Sequence, residues 1–396
     1  MRRLLLACLL GTAPLSPAFS ADLIDFWNTP QRGSNCFNEA PPGAEYFRAL
    51  RGYGATWVRL TFSKWKSRER DFLFGSLDDY RGLVPDDLAT LRRVLDDAHA
   101  AGLKVVLTPL SLPGSRWIQQ NGNQFDDRLW SDKRFWRQSA AFWRDLAVEL
   151  KDHPAIAAYN LVNEPVPERK GGLEEHSDAA TQLEWYAKAR GTTRDLPAFY
   201  ESLIAAVRAA DATTPIMLDG GFYAAADGWT YWPAPLKDSR LLYAHHMYEP
   251  WEATSTPNMK RKTPYRYPGV APLGGKAVAW DAARIEAYLQ QPIDWARKHG
   301  VPKNRLVAAE FGCIRTWLDC PRYLDDVLTA LEQDGLHWAF YSFRESWDGM
   351  DYELGDKKLP WQYWEAQEKG RPYVLPRGPN KVFEPILRRL TSGESR

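Results

Sequence analysis

Three features of the sequence predict an α/β chain closed into one (β/α)8 barrel, the TIM-barrel architecture, with enlarged aromatic-rich loops at its C-terminal face. Short β-branched or apolar runs alternate with longer amphipathic stretches along the chain, the period of repeated βα units. Eight such runs are present, and no Gly-rich phosphate loop follows the first, which favours a closed barrel over a doubly wound sheet. Stretches rich in Pro, Gly and aromatic residues at Gly220 to Pro235, Pro250 to Gly275 and Trp347 to Trp364 each follow a strand, so they read as loops on the face where barrel enzymes keep their chemistry.

The elements run in order from the N-terminus. Ahead of them, Arg2 and Arg3 precede an apolar run from Leu4 to Leu10, and Ala18-Phe19-Ser20 supplies small residues where a signal peptidase reads. Residues 1 to 20 are therefore expected to be a secretory leader, and residues 21 to 396 a single catalytic domain in the periplasm or outside the cell. Leu5-Leu6-Ala7-Cys8 also has the form of a lipoprotein cleavage site, but too little apolar segment precedes it. The first predicted strand is Ser34 to Phe37, followed by a helix over Glu45 to Arg51. The second is Thr56 to Leu60, with a helix over Asp87 to Ala101, and the third Lys104 to Leu110, with a helix over Lys133 to Lys151. The fourth is Ile156 to Val162, with a helix over Leu196 to Ala210. The fifth, Pro215 to Asp219, has no clear helix after it. The sixth is Leu241 to His246, with a helix over Asp281 to His299. The seventh is Arg305 to Ala309, with a helix over Pro321 to Asp334. The eighth is His337 to Phe343, with Val382 to Leu390 behind it.

Composition narrows the function. Lys plus Arg number 51 against 50 Asp plus Glu, so no basic excess is available to follow a phosphate backbone, and nucleic acid is not an expected partner. No stretch approaches the roughly 20 uninterrupted apolar residues a membrane-crossing helix needs. Aromatic residues make up 13% of the chain, with 18 Trp, and amphipathic rings in such number suit flat apolar surfaces with wet rims, which is the character of sugar rings. Cys313 and Cys320 flank a short segment that a disulfide can close, leaving Cys36 unpaired. No Cys or His cluster has zinc spacing, so neither a metal nor a cofactor is expected.

Two acidic residues end apolar strands. Glu164 stands in Tyr159-Asn160-Leu161-Val162-Asn163-Glu164-Pro165 and Glu310 in Leu306-Val307-Ala308-Ala309-Glu310-Phe311-Gly312, at the ends of predicted strands four and seven. Cleaving a glycosidic bond needs this equipment: one carboxylic acid to protonate the leaving oxygen and one carboxylate to capture the oxocarbenium-like centre. Each taken singly also fits a rim residue that pairs with an arginine. Pro165 is expected to bias Glu164 toward extended backbone, and Asn163 beside it to donate to a substrate hydroxyl.

With Asn163-Glu164-Pro165 and Glu310-Phe311-Gly312 the sequence resembles glycoside hydrolase family 5, the retaining cellulases, mannanases and related β-glycanases. The resemblance implies Glu164 as acid/base and Glu310 as nucleophile. It extends to Arg59 in Trp57-Val58-Arg59-Leu60 and to His246 and Tyr248 in His245-His246-Met247-Tyr248. By it, Arg59 and Tyr248 would position the nucleophile and His246 would line the sugar site. Two positions depart from the family pattern. Val106-Leu107-Thr108-Pro109-Leu110 lacks the histidine usual near the end of strand three. Tyr341 stands where strand eight usually presents a tryptophan platform, with Trp338 and Trp347 as stand-ins.

The resulting expectation is a monomeric endo-β-1,4-glucanase acting on β-glucan or a related polysaccharide, with its carboxyl groups about 5 Å apart. Its cleft should be open and lined by several of Trp117, Trp130, Trp229, Trp232, Trp251 and Trp347. Arg59 should lower the Glu310 pKa, and the charge of Glu310 should raise that of Glu164. Mannan, β-1,3-glucan and transglycosylation fit the same residues. A binding-only barrel would be marked by loss of a glutamate, and a metal-dependent barrel hydrolase by a His-x-His on strand one; Asn35-Cys36-Phe37-Asn38 has none.

Overall fold

The computed structural model describes residues 22–392, so the predicted leader and Cys8 lie outside the described residues. Among the described residues ten strands form: β1 Arg32–Cys36, β2 Trp57–Leu60, β3 Lys104–Leu107, β4 Ile156–Asn160, β5 Ile216–Asp219, β6 Leu241–Met247, β7 Gly269–Leu273, β8 Lys276–Trp280, β9 Leu306–Phe311 and β10 His337–Phe340. Eight of them pair in parallel in the closed order β1-β2-β3-β4-β5-β6-β9-β10, with β10 returning to β1. This is the predicted barrel, and its eight strands are the eight runs read from the sequence. Helices Pro85–Ala100, Lys133–Leu150, Leu196–Arg208, Ala282–Lys298 and Cys320–Gln333 pack their amphipathic faces on it. Asp132, Asp195 and Asp281 start three of these helices by accepting backbone N–H groups of the first turn.

The remaining pair is a surprise within a predicted loop. β7 and β8 form an antiparallel hairpin between β6 and the helix Ala282–Lys298. They turn on Gly274-Gly275, both with positive φ, which is the backbone a two-residue hairpin turn demands. Two further helices, Ala179–Ala189 and Trp361–Glu368, were not expected, and the second buries none of its residues. Among the described residues no helix is long and apolar enough to cross a membrane.

Side chains alternate between the barrel interior and the helical layer. The lower interior is apolar: Trp57, Val106, Ala158, Met217, Leu242, Ala244, Val307 and Ala339. Trp27, on the turn Leu23–Asn28, plugs the bottom and donates its indole N–H to the Ala157 carbonyl at 3.2 Å. Gly33 makes room for Trp57, since a Cβ there would lie 2.5 Å from the Trp57 carbonyl oxygen. Two residues further along five of the strands the interior turns polar. Asn35 follows Gly33, Arg59 follows Trp57, Asn160 follows Ala158, Asp219 follows Met217 and His246 follows Ala244.

Candidate active site

Arg59 organises the polar layer. Its guanidinium is fully buried, and each of its five N–H groups has an acceptor. Nε donates to Asn160 Oδ1 at 2.8 Å, Nη1 to Glu310 Oε1 at 2.5 Å and Asn35 Oδ1 at 3.2 Å, and Nη2 to Asn163 Oδ1 at 2.8 Å and Asp219 Oδ2 at 3.3 Å. Asn163 thus commits its carbonyl oxygen to Arg59, and only its NH2 group remains for a substrate.

Glu310 reaches this layer through a slip in register. His245 pairs with Ala308 but His246 with Glu310, so β9 carries one extra residue and sets Glu310 level with His246. Tyr248 donates its hydroxyl to Glu310 Oε2 at 2.8 Å, so the two carboxylate oxygens are held by different donors. Glu164 sits just past β4 with 18% of its side chain open to solvent, and its Oε1 is 2.9 Å from His246 Nδ1. A Glu164 oxygen lies within 4.8 Å of a Glu310 oxygen. The backbone at Glu164 is not the extended form expected ahead of Pro165: φ is +47°, and the Glu164 N–H donates to Asp219 Oδ2 at 3.1 Å. Such a conformation costs about 1–3 kcal/mol in a non-glycine residue and persists where neighbours fix it.

Burial sets the proton affinities. It pushes the Glu164 carboxyl up to about 8, with Arg59 opposing and Asp219 reinforcing the rise. Glu310 was expected below its ordinary range, but desolvation raises it as well, against His246, Arg59 and the Tyr248 hydroxyl. His246 is pushed down by burial, against the charges of Glu310 and Asp219.

The aromatic positions divide. Tyr341 faces the mouth, its ring 5.5 Å from Phe37 and 6.5 Å from Trp347, and its hydroxyl donates to Glu345 Oε1 at 2.7 Å. Trp347 is 43% exposed. Trp338 is not a stand-in for the platform. It is fully buried on the outer side of β10, donating to Glu332 Oε1 at 2.8 Å, because Ala339 and not Trp338 holds the inward place in the alternation. Trp229 and Trp232 are likewise core: Trp229 donates to the Ala244 carbonyl, and the Trp232 carbonyl accepts from Trp295. Trp251 is half-exposed on the turn after β6. Trp117 and Trp130 do line a cavity of about 220 Å³ beside Glu164, with Phe125, Val166, Arg169 and Tyr223. Past β3, where the histidine usual in the family is absent, Thr108 is buried and Leu110 lines the cavity beside Glu164.

Sequence reasoning missed Asp219, although it too is an acid ending an apolar strand. It also missed Asn35 and Asn160. Cys313 and Cys320 form a disulfide, and Cys36 is free and buried, as expected. Glu164, His246 and Glu310 are the three residues, among those described, whose ligand-type atoms cluster closely enough for a metal. They fit one poorly: both Glu310 oxygens already accept hydrogen bonds, and the Arg59 cation lies 2.5 Å from one of them.

Residues 24–346 match the family model described as Cellulase (glycosyl hydrolase family 5). A protein from Phanerodontia chrysosporium called β-xylosidase is 27% identical over 208 residues, which cover 52% of this chain and 36% of that protein; the chain thus spans about a third of that relative's length. The endoglucanase Cel5A of Pseudomonas stutzeri superposes with a TM-score of 0.58 at 18% identity, covering 88% of this chain and 97% of that one. Cel5A of Thermotoga maritima, solved in mutant form with cellobiose, gives 0.62 at 17% identity over 94% and 99%.

Proposed function

The chain belongs to glycosyl hydrolase family 5 and is a glycoside hydrolase, and from that premise we propose that it cleaves β-linked glucan by double displacement, as an endo-β-1,4-glucanase. Glu310 is the nucleophile and Glu164 the acid/base. The observation that carries the reading is a pair of carboxyl groups within 4.8 Å held in unlike surroundings. Separations near 5 Å belong to retention, because no room is left for a water between the second carboxyl and the sugar.

The surroundings assign the roles. Glu310 has both oxygens oriented by donors, Arg59 and Tyr248, which favour its ionised form and aim it. Its free lone pair attacks the anomeric carbon. Glu164, raised to about 8, carries a proton at neutral pH and gives it to the departing oxygen. Ionised by that transfer, it then takes a proton from the water that releases the glycosyl-enzyme. The NH2 group of Asn163 and the rings of Tyr341 and Trp347 are the groups that meet the sugar. The preference for β-1,4-glucan rests on the family's description and on structural neighbours named endoglucanases.

Product analysis on cellulose derivatives, mixed-linkage glucan, mannan, laminarin and xylan tests this reading. Internal cuts in the β-1,4-glucans are expected, with the first product of β configuration by NMR. An α first product overturns retention. Release of single xyloses from chain ends moves the protein toward the activity its xylosidase-named relative is called by. Binding without products makes it a carbohydrate-binding barrel.

A further inference from the structure

The polar layer holds a third carboxylate that this mechanism does not use. We propose that Asp219 is the positioning residue of the acid/base: it fixes the Glu164 backbone where the chain leaves the barrel and sets a negative charge behind the Glu164 carboxyl. The inference rests on the reading of Glu164 as acid/base.

Asp219 ends β5 with a fully buried side chain, so it cannot touch substrate. Its Oδ1 accepts from Asn160 Nδ2 at 2.9 Å, and its Oδ2 accepts from Arg59 Nη2 at 3.3 Å and from the Glu164 N–H at 3.1 Å. The last bond is made by a residue at φ +47°, a conformation in which a non-glycine residue stays only when a neighbour holds it. Charge balance points the same way. Arg59 already meets Glu310 at 2.5 Å, so Asp219 is a second anion beside one cation. The groups facing it are Arg59 from β2, Glu164 after β4 and His246 from β6, whose Nε2 is 3.6 Å away; Glu310 from β9 stands across Arg59. The Tyr200 hydroxyl, from the helix Leu196–Arg208, donates to the Asp219 carbonyl at 2.9 Å. Of these, Glu164 is the group that must hold a proton at working pH, and a like charge beside it disfavours losing that proton.

Asp219→Asn keeps the shape and removes the charge. It is assayed on aryl β-cellobiosides with leaving groups from 2,4-dinitrophenol to phenol. The basic limb of kcat/KM is expected to move to lower pH by about 1. Activity should fall about 10²-fold on the phenyl substrate, which needs the proton, and much less on the dinitrophenyl one. A basic limb that stays in place, or equal loss on both substrates, overturns the proposal. Glu164→Gln run in parallel separates the two claims. If it shows no leaving-group dependence, the acid/base reading itself fails; if it does and Asp219→Asn does not, only the role of Asp219 falls. Asp219→Ser, which retains an acceptor, gives the same comparison should the amide not fold. Failure of both to fold, seen by circular dichroism, makes Asp219 a structural residue and overturns the proposal.

Discussion

At the scale of single residues, the two glutamates differ in timing, and so should their variants. Glu310→Gln is expected to abolish the first step on every substrate, since no bond to the sugar can form. Glu164→Gln should give a burst of aryl product from an activated glycoside and then stall, because departure needs no proton but water still needs a base. Exchanged behaviour would swap the roles. The rate should follow a bell in pH. It rises as Glu310 ionises, and it falls as pH passes about 8, where Glu164 loses its proton. Arg59→Met removes a cation that opposes the burial of Glu310. Its acidic limb should therefore move to higher pH, and stability should drop by about 3–5 kcal/mol, because Asp219 and Glu310 lose their buried partner. An acidic limb that held still in this variant would make Arg59 a purely structural residue.

At the scale of elements, much of the barrel was legible, because an apolar run bounded by turn residues records burial on both faces. Glu164 and Glu310 stood out for the same reason: a charge ending such a run has to be placed. Asp219 gave that signal too, but without a neighbouring motif it read only as the close of strand five. Three other features were hidden for physical reasons. The hairpin of β7 and β8 has little burial, so its alternation is weak and Gly274-Gly275 reads as loop. Trp338 lies one residue out of phase with Ala339, and a one-residue slip exchanges cleft for core. The extra residue in β9 that aligns Glu310 has no local signature. The loop that carries Trp347 is tied by Arg315, which donates to the Asp348 carbonyl and carboxylate and to the carbonyls of Gly355 and Lys357 at 2.5–2.8 Å. Arg315→Ala is expected to lower stability by roughly 2–4 kcal/mol and to raise KM more than it lowers kcat, since the loop carries an aromatic contact and none of the reacting groups. A fall in kcat at unchanged KM would place that loop in the chemical step instead.

At the scale of the whole molecule, the titrating groups set a pH window for stability. Glu164, Glu168 and Glu249 are raised by burial to about 8, 7 and 7 from an ordinary 4.5. They bind protons more tightly folded than unfolded, so stability is lost as pH rises from about 4.5 through those values. His176, raised to about 9 by Asp227 and its acidic neighbours against the burial that opposes them, loses its contribution as pH rises from 6.5 through 9. His245 and His337, pushed by burial to about 3 and 4, act oppositely: the unfolded chain takes up protons below 6.5 that the folded one refuses. The two sets offset each other between about pH 4.5 and 6.5, so Tm should be flat there and fall on either side. Melting curves that kept rising above pH 8 would contradict these assignments. The plugged, apolar lower barrel has a consequence for what the molecule retains. Around Arg59 stand the carboxylates of Glu310 and Asp219, with Glu164 neutral below about pH 8, so the chamber above Trp57 encloses one more negative charge than positive. Walls of valine, alanine and methionine supply no counter-ion from beneath. That surplus complements the positive charge the sugar ring acquires as its bond breaks. Protonated nitrogen analogues of that ring should be held more tightly than their uncharged isosteres, and uronic acids with a carboxylate at the same ring should be turned away.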